Sequence, residues 1–293
     1  MGERIALRIA DARADIDVEG AQLRHWSVGG RSLLWEPDPT LWDDIAPILF
    51  PVVGWTRGGE IRVAGRSHPL GLHGFARSRR FAIAERRDDA LVLADRADDE
   101  TRLMYPFEYR IEIAYRLAAD RLSCHARITN VGSDAMPYAF GLHPGFRWPS
   151  GRGRILFDQD EAPHVAVITS DGLFARASRP VPLAGRELAL SHALLSSEAL
   201  CFLDVASRGL TYEAEEFGRL RVELDDCAHV ALWSRPPAPF LCIEAWTGHG
   251  DPEDFAGELA DKPSMRVLPP GGSARHGASW RFTAPALHSA PQA

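Results

Sequence analysis

Long apolar runs are missing from this chain. None approaches the length that crosses a bilayer. The start, Met-Gly-Glu-Arg-Ile-Ala-Leu-Arg, has no apolar stretch of the kind a secretory leader needs. The expectation is a cytoplasmic protein with no membrane partner. Positive charge is not in excess either. The 33 Lys+Arg face 40 Asp+Glu, for a formal net charge of −7. That balance offers nucleic acid and anionic lipid no electrostatic footprint. The basic residues are almost all arginine, and no chemistry is read from that. Cysteine is sparse: Cys124, Cys201, Cys227 and Cys242 form no C-x-x-C pair and stand at no zinc-finger spacing from a histidine. They read as small buried thiols in a reducing compartment. No H-x-H or H-x-x-x-H pair is present, and no nucleophile elbow supports a Ser-His-Asp triad. Also missing are a linker-like stretch and any long helical period.

What is present is a soluble composition with a period of two. The chain has 293 residues, 45% hydrophobic and 25% charged, which argues against disorder and for a sizeable core. Tyr109, Ile111, Ile113, Tyr115 and Leu117 alternate with Arg110, Glu112 and Arg116. After Ala119-Asp120-Arg121 the parity flips to Leu122, Cys124, Ala126 and Ile128. This predicts a β-hairpin with one buried face. Leu220, Val222 and Leu224 alternate in the same way. Further strands are expected at Phe81–Glu85, Ala90–Ala94, Leu200–Val205, Val230–Ser234, Phe240–Trp246 and Ala278–Thr283. The best helix candidate is short, at Ser191–Ser197. With 25 Gly and 21 Pro between short strands, an all-β sandwich or barrel in one domain is expected. That domain covers residues 1–288, and Ser289–Ala293 read as a loose tail.

Three phrases carry chemistry. In Gly141-Leu142-His143-Pro144-Gly145-Phe146, the small residues Ala139 and Gly141 share a strand face with His143. They leave space above a sheet, and Pro144 and Gly145 then break the strand. Leu72-His73-Gly74-Phe75-Ala76-Arg77 repeats that design, with Gly71 and His73 on one face. In Leu241-Cys242-Ile243-Glu244-Ala245-Trp246, a carboxylate sits inside an apolar strand, sharing a face with Cys242 and Trp246. Desolvation raises the pKa of such a carboxyl and makes it a base near neutral pH. Trp246 offers an apolar wall for a sugar ring. The bland alternatives are a loop-bound histidine in each case and, for Glu244, an ion pair with an arginine. Pro51-Val52-Val53-Gly54-Trp55 reads as a strand end meeting a pocket. Asp204, after an apolar run, faces either a ligand or a turn. His73, His143 and Glu244 also compose a formal His₂Glu metal set, without the local spacing that would strengthen it.

These residues resemble the aldose 1-epimerase (galactose mutarotase) family, and within it the bacterial LacX-like branch. Ile48-Leu49-Phe50-Pro51-Val52-Val53-Gly54 is similar to its F-P-x-x-G segment, Leu72–Arg77 to H-G-F-A-R, and Gly141–Phe146 to H-P-x-F. Cys242–Trp246 is similar to C-I-E-P-W, with Ala245 where proline is usual. Lys262-Pro263-Ser264-Met265 through Pro270-Gly271-Gly272 is similar to the closing segment. Any one match is weak, but five in order along almost the whole chain are specific. The resemblance implies a β-supersandwich, free of cofactor and metal, that interconverts the anomers of an aldose or sugar phosphate. It implies His143 as general acid at the ring oxygen and Glu244 as general base at the anomeric hydroxyl. His73 would hold the sugar, Arg77 would brace the pocket, and Asp204 would be the sugar-binding aspartate. The carboxylate is expected to help keep His143 protonated. One departure stands out: Trp55 occupies the place of a sugar-contacting arginine, and the nearest arginine is Arg57. An indole there predicts a more apolar pocket edge, with Arg57 or Arg77 supplying positive charge. It also keeps open a non-catalytic carbohydrate-binding or sensing protein on the same fold. Either would be a monomer or homodimer acting on a small molecule.

Overall fold

The period-two pattern becomes alternating burial on long antiparallel strands. The computed structural model describes residues 2–285, so the expected tail at Ser289–Ala293 lies outside the described residues. Strands Tyr109–Leu117 and Arg121–Asn130 pair with Tyr109 opposite Asn130 and Leu117 opposite Leu122. The five odd-numbered apolar residues of the first strand are buried, as are Leu122, Cys124, Ala126 and Ile128 of the second. The register explains the parity flip, because residues directly opposite share a face. Ser273–Thr283 lies alongside Arg121–Asn130, far from it in sequence. At that seam Gly277 is required, since a Cβ there would stand 2.3 Å from the Cys124 carbonyl oxygen. These strands form the middle of a ten-stranded sheet.

A six-stranded sheet carries the site. Its path runs Leu200–Phe202, His229–Trp233, Phe240–Trp246, Gly141–Leu142, Ile48–Leu49, and Gly145–Arg147 also pairs with Phe240–Trp246. All strand pairs in both sheets are antiparallel. The sheets meet through ring contacts such as Phe146–Trp280 (6.2 Å) and Phe157–Phe202 (5.2 Å). A four-stranded sheet of residues 4–32 joins the same core, and the Tyr115 hydroxyl donates to the Ala21 carbonyl at 2.8 Å. The result is an all-β sandwich. All four cysteines are free and buried. No helix among the described residues is long and apolar enough to cross a membrane.

Two local expectations fail. Ser191–Ser197 is not a helix. It is a pair of i→i+3 turns, Leu194 N–H to Ser191 O and Leu195 N–H to His192 O, so no i→i+4 ladder begins. The helix is instead Asp99–Met104, held by a capping box in which Asp98 accepts from the Thr101 N–H. Its D-x-x-T start is legible, but six residues are too few to show an apolar period. The expected strand Leu200–Val205 stops at Phe202, because Asp204 is left-handed at φ 53°.

Candidate active site

Strand Phe240–Trp246 is buried along its whole length, since it has strand partners on both sides and packing on both faces. Opposite Glu244 on the next strand is Ala231, and opposite Ala231 is Cys201. This row of small side chains keeps the sheet low beside the carboxylate. Glu244 and His143 converge there, with Oε2 and Nε2 3.4 Å apart, and both are nearly sealed from solvent at 2% and 8% exposure. The alternative of a structural arginine partner for Glu244 is not realised: its ion-pair partner among the described residues is His143. The Trp246 Nε1–H donates to Glu244 Oε2 at 3.1 Å. So the indole expected as a wall also holds the carboxylate.

The glycines around His143 work differently from the expectation. The space above Gly141 is taken: a Cβ there would meet Trp246 Cδ1 at 2.8 Å. Gly145 is needed for a second indole, since its Cβ would lie 2.7 Å from Trp42 Cζ3. Trp42 packs on the His143 ring at 5.3 Å and Trp233 meets it edge-on at 5.7 Å. Sequence reasoning missed both. Trp233 shares parity with Ala231 in an expected strand and could have been found. Trp42 lies in a Pro-rich segment with no period and could not.

His73 is not on a strand, contrary to the expectation that its segment repeats the His143 design. It sits in a turn at φ 64°, followed by Gly74 at φ 67°. Its Nδ1 accepts the Gly54 N–H at 3.1 Å, which puts the proton of the neutral ring on Nε2. The ring stands perpendicular to that of His143, centroids 5.6 Å apart. The F-P-x-x-G and H-G-F-A-R motifs are therefore parts of one turn structure. A Cβ on Gly74 would clash at 2.3 Å with the Phe50 oxygen.

These groups line one cavity of about 1960 Å³, together with Trp55, Arg57, Arg77, Trp246 and residues 168–174. Arg77 is exposed at this cavity and has no carboxylate partner among the described residues. Arg57 lies at the exposed edge of the cavity: its backbone N–H donates to Asp251 Oδ2 at 2.9 Å, and its side chain reaches the Phe255 carbonyl at 3.4 Å. Asp204 is the correction. Its side chain is 86% exposed, its N–H donates to His229 Nδ1, and it does not line the cavity. The left-handed turn ends the strand before parity could aim it inward. The acid beside this strand that does line the cavity is Glu198, just before Leu200–Phe202. It accepts the Ile168 N–H at 2.8 Å and pairs with Arg179 Nε at 2.5 Å. No group of three or more His, Cys, Asp or Glu among the described residues is placed to hold a metal ion.

Burial governs the protons. It pushes His143 down to about 4, with nearby Arg77 acting in the same direction. It drives Glu244 well above the usual carboxylate range, opposed by the Trp246 hydrogen bond. It holds His73 well below 6.5, helped by His143 and Arg77. The expectation that the carboxylate helps keep His143 charged is not met in the free protein: desolvation is the largest influence on His143 and lowers its pKa. Both shifts favour the uncharged forms, an imidazole at His143 and a carboxylic acid at Glu244. A sheltered pair sharing one proton can accept a proton at one atom and deliver one at another without changing its own charge.

The comparisons with known proteins bear on the fold and the family. The protein LacX (plasmid) of Lactococcus lactis subsp. lactis is 28% identical over 257 residues, 82% of this chain and 86% of that protein. The structure of a galactose mutarotase-like protein from Lactobacillus casei ATCC 334 superposes with a TM-score of 0.90 at 24% identity, covering 96% of this chain and 100% of the other. The structure of a galactose 1-epimerase from Lactobacillus acidophilus NCFM gives 0.74 at 13% identity, covering 96% and 94%. At these identities the two structures speak for the fold. The family model described as aldose 1-epimerase matches residues 3–182, more than half of the chain. That match, over the span holding both histidine motifs, places the chain in the aldose 1-epimerase family.

Proposed function

We propose that the protein interconverts the α and β anomers of an aldose or sugar phosphate by acid–base ring opening. The observation that carries this reading is the buried His143–Glu244 contact at 3.4 Å, between two groups whose burial favours their uncharged forms. Mutarotation needs one proton taken from the C1 hydroxyl and one given to the ring oxygen. In the productive form Glu244 is the carboxylate and His143 the imidazolium. That form has the same charge as the free pair and differs from it by one proton shift. Sugar hydroxyls donating to the carboxylate favour it. Glu244 then takes the C1 hydroxyl proton, His143 protonates the ring oxygen, and the C1–O5 bond breaks to leave the aldehyde. Rotation about C1–C2 presents the other face. Closure runs the same transfers backwards and restores the pair. His73 donates from Nε2 to hold the sugar. Arg77, which lacks a carboxylate partner, would meet a phosphate on the substrate. The pair needs no cofactor for these steps.

The test is anomer-exchange NMR over a panel of aldoses and their 6-phosphates. Glu244→Gln and His143→Asn should each lower kcat about 10²–10⁴-fold while the far-UV spectrum is kept. His73→Asn should mainly raise KM. Near-normal turnover in Glu244→Gln would remove Glu244 from the base role. Trp55 favours a second reading, a carbohydrate-binding protein without catalysis, because an indole cannot supply an arginine's charged hydrogen bonds. Saturable sugar binding with no exchange above the spontaneous rate would select it.

A further inference from the structure

The cavity is much larger than the reaction needs. At about 1960 Å³ it exceeds the roughly 300–1,000 Å³ of ordinary small-ligand sites. The acid–base pair occupies its sealed part, where Glu244 is 2% exposed, whereas Trp55 on the same cavity is 43% exposed. Among the described residues the other large apolar side chains left exposed are Ile9, Ile83, Leu103, Val131 and Val267, and none of them lines the cavity. An open indole on a concave wall is a different matter from an apolar residue on a convex surface.

The ring is also held in place. Gly172, at φ 78° in the turn between strands His164–Ile168 and Phe174–Pro180, packs against its five-membered ring. A Cβ there would stand 2.0 Å from Trp55 Cδ1. Behind it, Gly54 touches the Gly250 backbone so closely that a Cβ would come within 2.6 Å, and the Trp55 carbonyl accepts the Asp251 N–H at 2.9 Å. Ser170, Asp171, Arg57 and Glu253 line the same cavity. A fixed aromatic face with hydroxyl-binding groups around it is what a pyranose ring requires.

We propose that Trp55 is the platform of a distal sugar subsite, and that the preferred substrates are reducing disaccharides or longer oligosaccharides. This rests on the mutarotase reading. The chemistry permits it, because only C1, its hydroxyl and the ring oxygen must reach His143 and Glu244. A second sugar linked through a remote hydroxyl of the reducing ring extends outward onto the indole.

The experiment is anomer-exchange NMR on glucose, glucose 6-phosphate, maltose, cellobiose and isomaltose, paired with binding titrations of the same sugars and of non-reducing trehalose. At least one disaccharide should exceed glucose and glucose 6-phosphate in kcat/KM by about tenfold. Trp55→Ala should bring the disaccharide-to-glucose ratio close to one, and Trp55→Phe should keep most of it. Exchange of all sugars with no disaccharide preference, or a ratio that Trp55→Ala leaves intact, overturns the subsite while the mutarotase reading stands. Disaccharide binding that depends on Trp55, without exchange, supports the subsite and overturns the mutarotase reading. Neither exchange nor binding overturns both.

Discussion

Burial pulls the pKa values of His143 and Glu244 in opposite directions before any substrate arrives, and the two shifts have opposite consequences. As pH falls through about 4, His143 gains a proton while Glu244 still holds its own. The base is then lost, so the rate falls with falling pH. As pH rises through the elevated Glu244 value, the pair gives up its one proton. The acid is then lost, so the rate falls with rising pH. After subtraction of spontaneous mutarotation, kcat/KM should be bell-shaped. The acid limb should lie near 4 and the alkaline limb well above the carboxylate range. A single acid limb near 6.5, that of an unperturbed histidine, would contradict this assignment. Trp246→Phe removes the hydrogen bond that opposes the rise of Glu244. It should move the alkaline limb upward.

Between the elements, one buried ion pair ties the cavity rim together. Lys262, the chain's single lysine, lies 2.8 Å from Asp251, and both are almost fully buried. Asp251 in turn receives the Arg57 N–H, so three separate segments meet at its carboxylate. Asp251→Ala leaves a buried ammonium without its partner and should cost about 3–5 kcal/mol. Adding Lys262→Met should recover most of that. Urea denaturation of the single and double variants measures it, and a loss below about 1 kcal/mol for Asp251→Ala would show the pair to be dispensable. This junction is where Lys262 of the closing motif acts: it supports the rim rather than the reacting groups.

At the scale of the molecule, the site is assembled by pairings between distant parts of the chain. The last strand, Ser273–Thr283, contributes no cavity-lining residue, yet it lies between Arg121–Asn130 and Gly218–Asp225 in the ten-stranded sheet. Truncation after Gly272 would expose two interior strand edges and delete Trp280 and Phe282, both buried in the core, leaving their neighbours uncovered. The truncated chain should be insoluble or unfolded and inactive. A folded, active truncation product, judged by circular dichroism and anomer exchange, would show that the sheet tolerates the gap.

The hairpin Tyr109–Asn130 and the strand Phe240–Trp246 were legible because a strand's period and its buried face are local properties, written every second residue. The ordered motifs likewise pointed to His73, His143 and Glu244. The helix Asp99–Met104 was hidden by its shortness. The left-handed turns at His73 and Asp204 were hidden because non-glycine residues adopt that conformation only when surrounding contacts impose it. So Asp204 was expected in the pocket, and Glu198 was found there. The packing of Trp42 on His143 and the opposite pKa shifts of His143 and Glu244 depend on which segments lie side by side. No local pattern encodes that register. Strand identity therefore follows from residue alternation, while the geometry and charge of the site follow from the non-local pairing that brings those strands together.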